Sequence, residues 1–100
     1  MAHYIVSYDI TEDRLRAKIV KELERSGIVR LQKSVFFAAN FTAEEIRRLR
    51  AALTLILLNG AATNSIFCLP LSREQAANMQ WLGSDEVAAG AMGERFFELL

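Results

Sequence analysis

The chain has 100 residues, of which 52% are hydrophobic, and its twelve basic and twelve acidic side chains give a formal net charge of zero. This length allows one hydrophobic core and excludes a second domain of its own, while the apolar content excludes a disordered chain. The sequence opens without a signal-type segment and has no apolar run long enough for a bilayer, so a soluble, cytoplasmic protein without membrane contact is expected.

The first two predicted elements are a strand over about residues 3–9 and a helix over about residues 12–26. Apolar side chains such as Ile5 and Val6 fall on opposite sides of the strand, which predicts burial of both of its faces. The helix carries an apolar stripe at helical spacing and ends at Gly27, the residue type that most often follows a helix.

The middle of the chain predicts paired strands followed by a second helix. Residues 28–39 are strand-like, and the polar interruption at 32–34 is either a bulge or a tight bend between two strands. The second helix begins after Thr42, which forms a capping-box pattern with Glu45, and ends at Gly60.

The last third of the chain predicts less regular structure. Residues 64–69 form a strand that Pro70 is expected to end. Residues 79–83 predict a short further strand, and the apolar end of segment 84–100 is expected to dock on its own chain or on another subunit.

This order of elements predicts an α+β protein with the ferredoxin-like βαββαβ sandwich, in which two helices cover one face of an antiparallel sheet. The predicted domain spans residues 1–83, and residues 84–100 form a strand-like C-terminal extension. Because the first strand is apolar on both sides, a twofold-related copy of the chain is the simplest cover for the second face of the sheet. A homodimer is therefore expected.

Asp9 is the candidate functional residue, because it is the only acid at the end of a predicted strand. Its spacing to Glu12 also matches a capping box, and Thr11 is an equally good helix cap, so a structural role is the more frequent one for such an acid. Alternatively, two Asp9 side chains meeting across a dimer axis would suffice for Mg²⁺, which commonly takes one or two carboxylates together with water and substrate phosphate.

Positive charge is concentrated in the middle of the chain. Between residues 14 and 50 there are ten basic and four acidic side chains, whereas both ends are acidic. This distribution suits a surface that binds nucleic acid, although a solvated helix surface has the same composition. The candidate phosphate-binding residues lie on the two predicted helices: Arg14, Arg16, Lys18, Lys21, Arg47, Arg48 and Arg50.

The chain resembles the family of CRISPR-associated protein 2 over roughly residues 3–83. The resemblance is carried by three stretches: YIVSYDI at 4–10, DRLRAKIVKELERSGIVRLQKSVFF at 13–37 and NSIFCLPL at 64–71. It implies a ferredoxin-like homodimer in which Asp9 of each subunit holds a shared divalent cation, such as Mg²⁺. The sequence departs from the family at Phe37, where an acidic or polar residue is common.

The resemblance also implies two activities. Members of this family are metal-dependent endonucleases acting on RNA or double-stranded DNA, and they bridge dimers of the integrase, CRISPR-associated protein 1, during spacer acquisition without cleaving. The implied catalytic positions are Tyr8, Asp9, Ser34 and Phe36, with Arg14 and Arg16 matching the arginines that open the first helix. A ferredoxin-like toxin-type ribonuclease or regulatory module unrelated to CRISPR is the remaining alternative.

Overall fold

The computed structural model describes residues 2–80, which form a four-stranded antiparallel sheet with helices packed on it. Across these residues, no helix has both the length and the apolar character that crossing a bilayer requires. In chain order the elements are β1 (Ala2–Asp9), α1 (Asp13–Arg25), β2 (Val29–Gln32), β3 (Val35–Phe41), α2 (Ala43–Leu57), β4 (Ser65–Leu71) and α3 (Arg73–Ala77).

The strands are ordered β2-β3-β1-β4, so β1 is a central strand with a neighbour on each edge. Val6 of β1 lies opposite Phe36 of β3 and opposite Cys68 of β4. The order of elements and the antiparallel pairing confirm the predicted α+β, ferredoxin-like fold.

The main core lies between the sheet and the helices α1 and α2. Val6 and Phe36 face this layer and have no exposed surface, and three residues of α1 complete it from above: Leu15, Ile19 and Leu23. These helical residues are four positions apart, so they lie on one side of α1, and Lys18 and Lys21 between them are exposed. Burial of such side chains is worth about 1.5–3 kcal/mol each.

The second face of the sheet has a smaller core of its own. Phe37 of β3 is fully buried there with Leu31 of β2 and Ala76 of α3. Part of the face expected to lie against another copy is therefore covered by the chain's own third helix. On β4, by contrast, Phe67 is 58% exposed and Leu69 is 47% exposed.

The ends of the two long helices follow the sequence signals. After α1, the Gly27 amide donates to the Glu24 carbonyl and the Ile28 amide to the Leu23 carbonyl, which is the Schellman arrangement. Gly27 has φ +79°, a conformation that residues with a Cβ rarely adopt. Before α2, Thr42 and Glu45 exchange both hydrogen bonds of the predicted capping box.

Two predictions about the last third of the chain were wrong. Pro70 does not end β4, which continues to Leu71. Among residues 2–80, β4 pairs with β1 alone, and a strand at the edge of a sheet tolerates a residue without an N–H donor. Residues 73–77 form the unpredicted helix α3, which Ser72 and Gln75 open with a second capping box. Of the predicted strand at 79–83, residues 79–80 are not in a strand, and the rest lies outside the described residues, as does segment 84–100.

The polar interruption at 32–34 proves to be a tight turn between β2 and β3 with a shift of register beside it, so both features left open by the sequence are present. At the other end of β3, Asn40 has φ +58° and its amide donates to the imidazole Nδ1 of His3 at 3.1 Å. His3 is buried and stacks on Phe37, which gives this histidine a structural role.

Replacing Gly27 by Ala should destabilise the protein by about 1 kcal/mol, because a Cβ makes the left-handed conformation unfavourable. Gly27→Asn should cost less, since Asn tolerates this conformation better. Urea unfolding followed by circular dichroism measures both. There is open space around a Cβ at this position, so equal stability of Gly27→Ala and the parent would mean that the positive φ is absent in solution.

Candidate metal and nucleic-acid site

Asp9 ends β1 with its side chain exposed and its backbone opposite Ser65 of β4. Within residues 2–80, no hydrogen bond or ion pair engages its carboxylate. The capping role is wrong for both Asp9 and Thr11, because the N-cap residue of α1 is Glu12 and it makes no side-chain capping bond. Asp9 is therefore an accessible acid that the described part of the fold does not use.

Tyr8 contacts the turn that contains Ser34, and its ring lies on the other side of the sheet from Asp9. The Tyr8 hydroxyl donates to the Lys33 carbonyl at 3.1 Å, and the Tyr8 amide donates to the Ser34 carbonyl at 3.2 Å. Successive side chains of a strand point to opposite faces, so the buried Tyr8 ring faces the helices while Asp9 faces away from them. Phe36 is fully buried beside Tyr8 and offers no exposed ring face.

Arg30 of β2 contacts Tyr8, Lys33 and Phe36, and it was not among the predicted site residues. Its guanidinium donates to the Lys33 carbonyl at 2.8 Å and 3.2 Å, and lies 3.5 Å from the Tyr8 hydroxyl. It also lies over the Phe36 ring, 5.3 Å from the centroid, in a cation–π arrangement. The signal was available, since Arg30 opens the RLQKSVF stretch that carries part of the family resemblance.

Glu12, three residues after Asp9, is fully engaged. Its carboxylate accepts from the Thr11 hydroxyl at 2.6 Å, from the Ala61 amide at 2.9 Å and from the Asn64 side-chain amide at 2.9 Å and 3.1 Å. In return, the Thr11 amide donates to the Asn64 side-chain oxygen at 3.2 Å. We call these residues, Thr11, Glu12, Ala61 and Asn64, the Glu12 clamp.

The clamp lowers the pKa of Glu12 to about 2, through the hydrogen bond from the Thr11 hydroxyl first and then those from Asn64 and Ala61. Gly60 packs closely against the clamp. A Cβ there would lie 2.3 Å from a Leu15 methyl carbon and 2.7 Å from both the Glu12 carboxylate and the Asn64 amide. The clamp thus joins the start of α1 to the loop that leads into β4.

The basic residues of α1 divide into free and engaged groups. Arg14, Lys18 and Lys21 are exposed, and within residues 2–80 none of them forms an ion pair. Arg16 is engaged: its guanidinium donates to the Ile10 carbonyl at 3.1 Å and forms an ion pair with Asp13. The free residues recur at helical spacing, so they form one outward surface along α1.

The arginines of α2 are only partly available. Arg47 and Arg48 both pair with Glu44, at 2.6 Å and 3.0 Å. Arg50 lies at the flank of α2, beside a groove of about 470 Å³ that also reaches Cys68. Exposed ion pairs of this kind are weak, so a phosphate could compete with Glu44 for these side chains. Helices α1 and α2 cover the same face of the sheet, as the predicted basic surface requires.

One copy of the chain does not form a complete metal site in its described part. Among residues 2–80, no three His, Cys, Asp or Glu side chains are grouped closely enough to hold a metal ion. Asp9 supplies a single, uncommitted carboxylate, which suits a hard cation that is shared between two copies and keeps most of its water. Within this part of the chain, Asp9 alone therefore does not complete a metal site.

Comparison with known proteins points to one family. The family profile described as CRISPR associated protein Cas2 matches residues 1–79. A curated relative from Pyrobaculum aerophilum, the CRISPR-associated endoribonuclease Cas2 2, is 47% identical over 34 residues, which are 34% of this chain and 37% of that protein. The match thus spans little more than a third of that relative's length.

Two solved structures have a similar fold. A chain in a partial Cas6-RT-Cas1–Cas2 complex is 28% identical, with a TM-score of 0.71, over 82% of this chain and 91% of that chain. The hypothetical protein TT1823 from Thermus thermophilus is 25% identical, with a TM-score of 0.66, over 83% of this chain and 92% of that chain.

The Glu12 clamp predicts a specific dependence of stability on pH. The pKa of Glu12 is lower in the folded state than its ordinary value of 4.5, so its contribution is complete above that value and is lost as the pH falls towards about 2. Glu12→Gln should therefore lower the melting temperature most at pH 6, and the difference from the parent should shrink between pH 4.5 and pH 2. A difference that is constant with pH would show that the carboxylate charge is not what the clamp binds.

Proposed function

The chain belongs to the CRISPR-associated protein Cas2 family, and from that premise we propose that it acts in CRISPR spacer acquisition as a cytoplasmic homodimer that binds DNA or RNA. The proposed partner is the integrase Cas1, since one structural relative is part of a complex that contains both proteins. Family membership supports this proposal over the alternative of a module unrelated to CRISPR.

The observation that carries the proposal is the uncommitted carboxylate of Asp9 on a partly uncovered sheet face. Phe67 and Leu69 of β4 expose apolar surface on that face, which gives a second copy something to bury. Contact through this face would bring the two Asp9 carboxylates towards a common axis. Two carboxylates are a common protein contribution to a Mg²⁺ site, with water and substrate phosphate completing the shell.

The proposed activity is hydrolysis of phosphodiester bonds in RNA or double-stranded DNA. When bound, Mg²⁺ would act as a Lewis acid on a phosphate oxygen. The two Asp9 side chains would hold the ion, while Arg14 and Arg16 would neutralise phosphate charge through charge-assisted hydrogen bonds. Arg16 would exchange its exposed ion pair with Asp13 for the phosphate, so Arg14 is the more readily available of the two arginines.

A second candidate function is that of an architectural bridge without turnover. The observation that favours it is the contrast between a single acid and a broad basic surface on α1, where Arg14, Lys18 and Lys21 are free of ion pairs among the described residues. Such a surface binds phosphate backbones whether or not a bond is cleaved. In that case Asp9 would contribute to assembly and not to chemistry.

Replacing Asp9 by Asn should leave the fold and the homodimer intact, because no internal contact among residues 2–80 depends on the carboxylate. Any Mg²⁺-dependent cleavage should fall to the level measured in EDTA, since the neutral amide is a poorer ligand for Mg²⁺. Cleavage of labelled RNA and duplex DNA is measured with and without Mg²⁺, with sedimentation as the control for dimerisation. Undiminished cleavage by Asp9→Asn would reject the metal role; a parent that never cleaves would favour the bridge.

Removing a free cation of α1 should reduce the salt dependence of duplex binding. Each phosphate contact contributes about −0.9 to the slope of log K against log salt. Lys18→Ala should flatten the slope by about 2 in a symmetric dimer and weaken all duplex sequences alike. Arg47→Ala is the matched control and should have a smaller effect, since Glu44 already engages Arg47. Equal slopes for all three proteins would mean that α1 does not contact the backbone.

A further inference from the structure

We propose that Glu12 is a positioning residue for Asp9: through the Glu12 clamp it fixes the strand end that carries the metal-binding carboxylate. This inference rests on the proposed function, because it assigns Glu12 a role in the same site. The Glu12 carboxylate makes its hydrogen bonds to Thr11, Ala61 and Asn64, none of them to Asp9, and it would not touch the ion. Its effect would pass through the backbone on either side of Asp9.

The clamp brackets Asp9 from both neighbouring segments. On its own chain segment, the Thr11 amide and hydroxyl, two residues after Asp9, are bound by Asn64 and Glu12. On the opposite segment, Asn64 immediately precedes Ser65, which lies opposite Asp9 in the β1–β4 pairing. The last residue pair of these two strands is therefore held by side chains just beyond it, where strand ends otherwise fray.

The charge of the Glu12 carboxylate strengthens the clamp. An ionised carboxylate only accepts hydrogen bonds, and Glu12 accepts from three groups: the Thr11 hydroxyl, the Ala61 amide and the Asn64 side-chain amide. Hydrogen bonds to a charged acceptor are roughly twice as strong as neutral ones. A glutamine would lose this charge, and its amide group would make the Thr11 hydroxyl turn from donor to acceptor, with the hydroxyl proton left to the more distant Asn64 side-chain oxygen at 3.4 Å.

A shared metal site makes this bracing functionally important. Mg²⁺ demands near-ideal octahedral geometry at about 2.0–2.1 Å from its ligands. In a twofold dimer, any displacement of Asp9 occurs in both subunits, so both carboxylates of the proposed site would move away from the position that the ion requires. Groups that orient ligands from outside the coordination shell commonly affect metal affinity by about 10–100-fold.

The test is titration of the full-length homodimer with Mn²⁺ alone, with free Mn²⁺ measured by electron paramagnetic resonance and the melting temperature recorded in parallel. Glu12→Gln should weaken Asp9-dependent Mn²⁺ binding by about tenfold while the protein stays folded and dimeric. Glu45→Gln is the matched control: it removes one exposed carboxylate, and glutamine also serves in a capping box. It should leave Mn²⁺ affinity unchanged.

A double variant provides the rescue. In Glu12→Gln with Asn64→Asp, the new carboxylate can accept from the Thr11 amide and hydroxyl and from the glutamine amide, while the glutamine oxygen accepts from Ala61. The clamp then contains an ionised carboxylate again, and the net charge equals that of the parent. Mn²⁺ affinity should return to within about threefold of the parent, well inside the tenfold loss expected of the single variant.

The outcomes separate the positioning role from the proposed function. Unchanged Mn²⁺ binding in Asp9→Ala would overturn the metal site itself. If Asp9→Ala loses binding but Glu12→Gln retains it, the metal site stands and the positioning role is overturned. Recovery of the melting temperature without recovery of Mn²⁺ affinity in the double variant would also overturn it. Should Glu12→Gln fail to fold, Asn64→Ala opens the same clamp, and unchanged Mn²⁺ affinity in that variant would again overturn the role.

Discussion

Strand β1 has a neighbouring strand on each edge and apolar contacts on each face, and the other elements are arranged around it. Val6 is buried under α1 and α2, while Ile5, on the opposite side, packs with the cluster that contains Phe37 and Ala76. The backbone N–H and C=O groups of a strand buried in this way must form hydrogen bonds to both neighbouring strands. This requirement fixes the register of β3 and of β4 relative to β1. The two helical layers then follow from the need to cover each apolar face.

The candidate site begins where this burial ends. Asp9 and Glu12 are both acids of the β1–α1 connection, yet their surroundings are opposite. Glu12 has a donor for each carboxylate oxygen, which holds its pKa at about 2, whereas the described residues offer Asp9 none. The acid that the fold uses and the acid that it leaves free lie three residues apart. This contrast is the physical basis of the proposal that Asp9 binds a ligand while Glu12 has a structural role.

The parts of the structure that sequence could predict are those encoded locally. Gly27, the capping box of Thr42 and the strand-end position of Asp9 each follow from a few consecutive residues. The helix α3 was also encoded locally, by the Ser72–Gln75 capping box, although it was not predicted. The end of β4 was predicted wrongly, because a proline can lie within a strand at the edge of a sheet.

The Glu12 clamp, by contrast, could not be predicted from the sequence. Its partners Ala61 and Asn64 lie on the far side of α1, β2, β3 and α2 in the chain, and no periodicity links them to Glu12. Only the β1–β4 pairing brings them together. The same holds for the third helix as a cover of the second face, because the burial of Ala76 beside Phe37 depends on tertiary packing and not on any pattern within residues 73–77.

The strand order has a consequence for the order of events during folding. The central strand β1 is synthesised first, but the partner on one of its edges, β4, follows nearly all the other described elements. The pairing of Asp9 with Ser65 therefore closes a long loop, which is entropically costly and makes such contacts slow to form. Until β4 has left the ribosome, β1 presents an unpaired apolar edge that can join other nascent chains. The rate at which β4 docks thus sets how long this edge is vulnerable to aggregation.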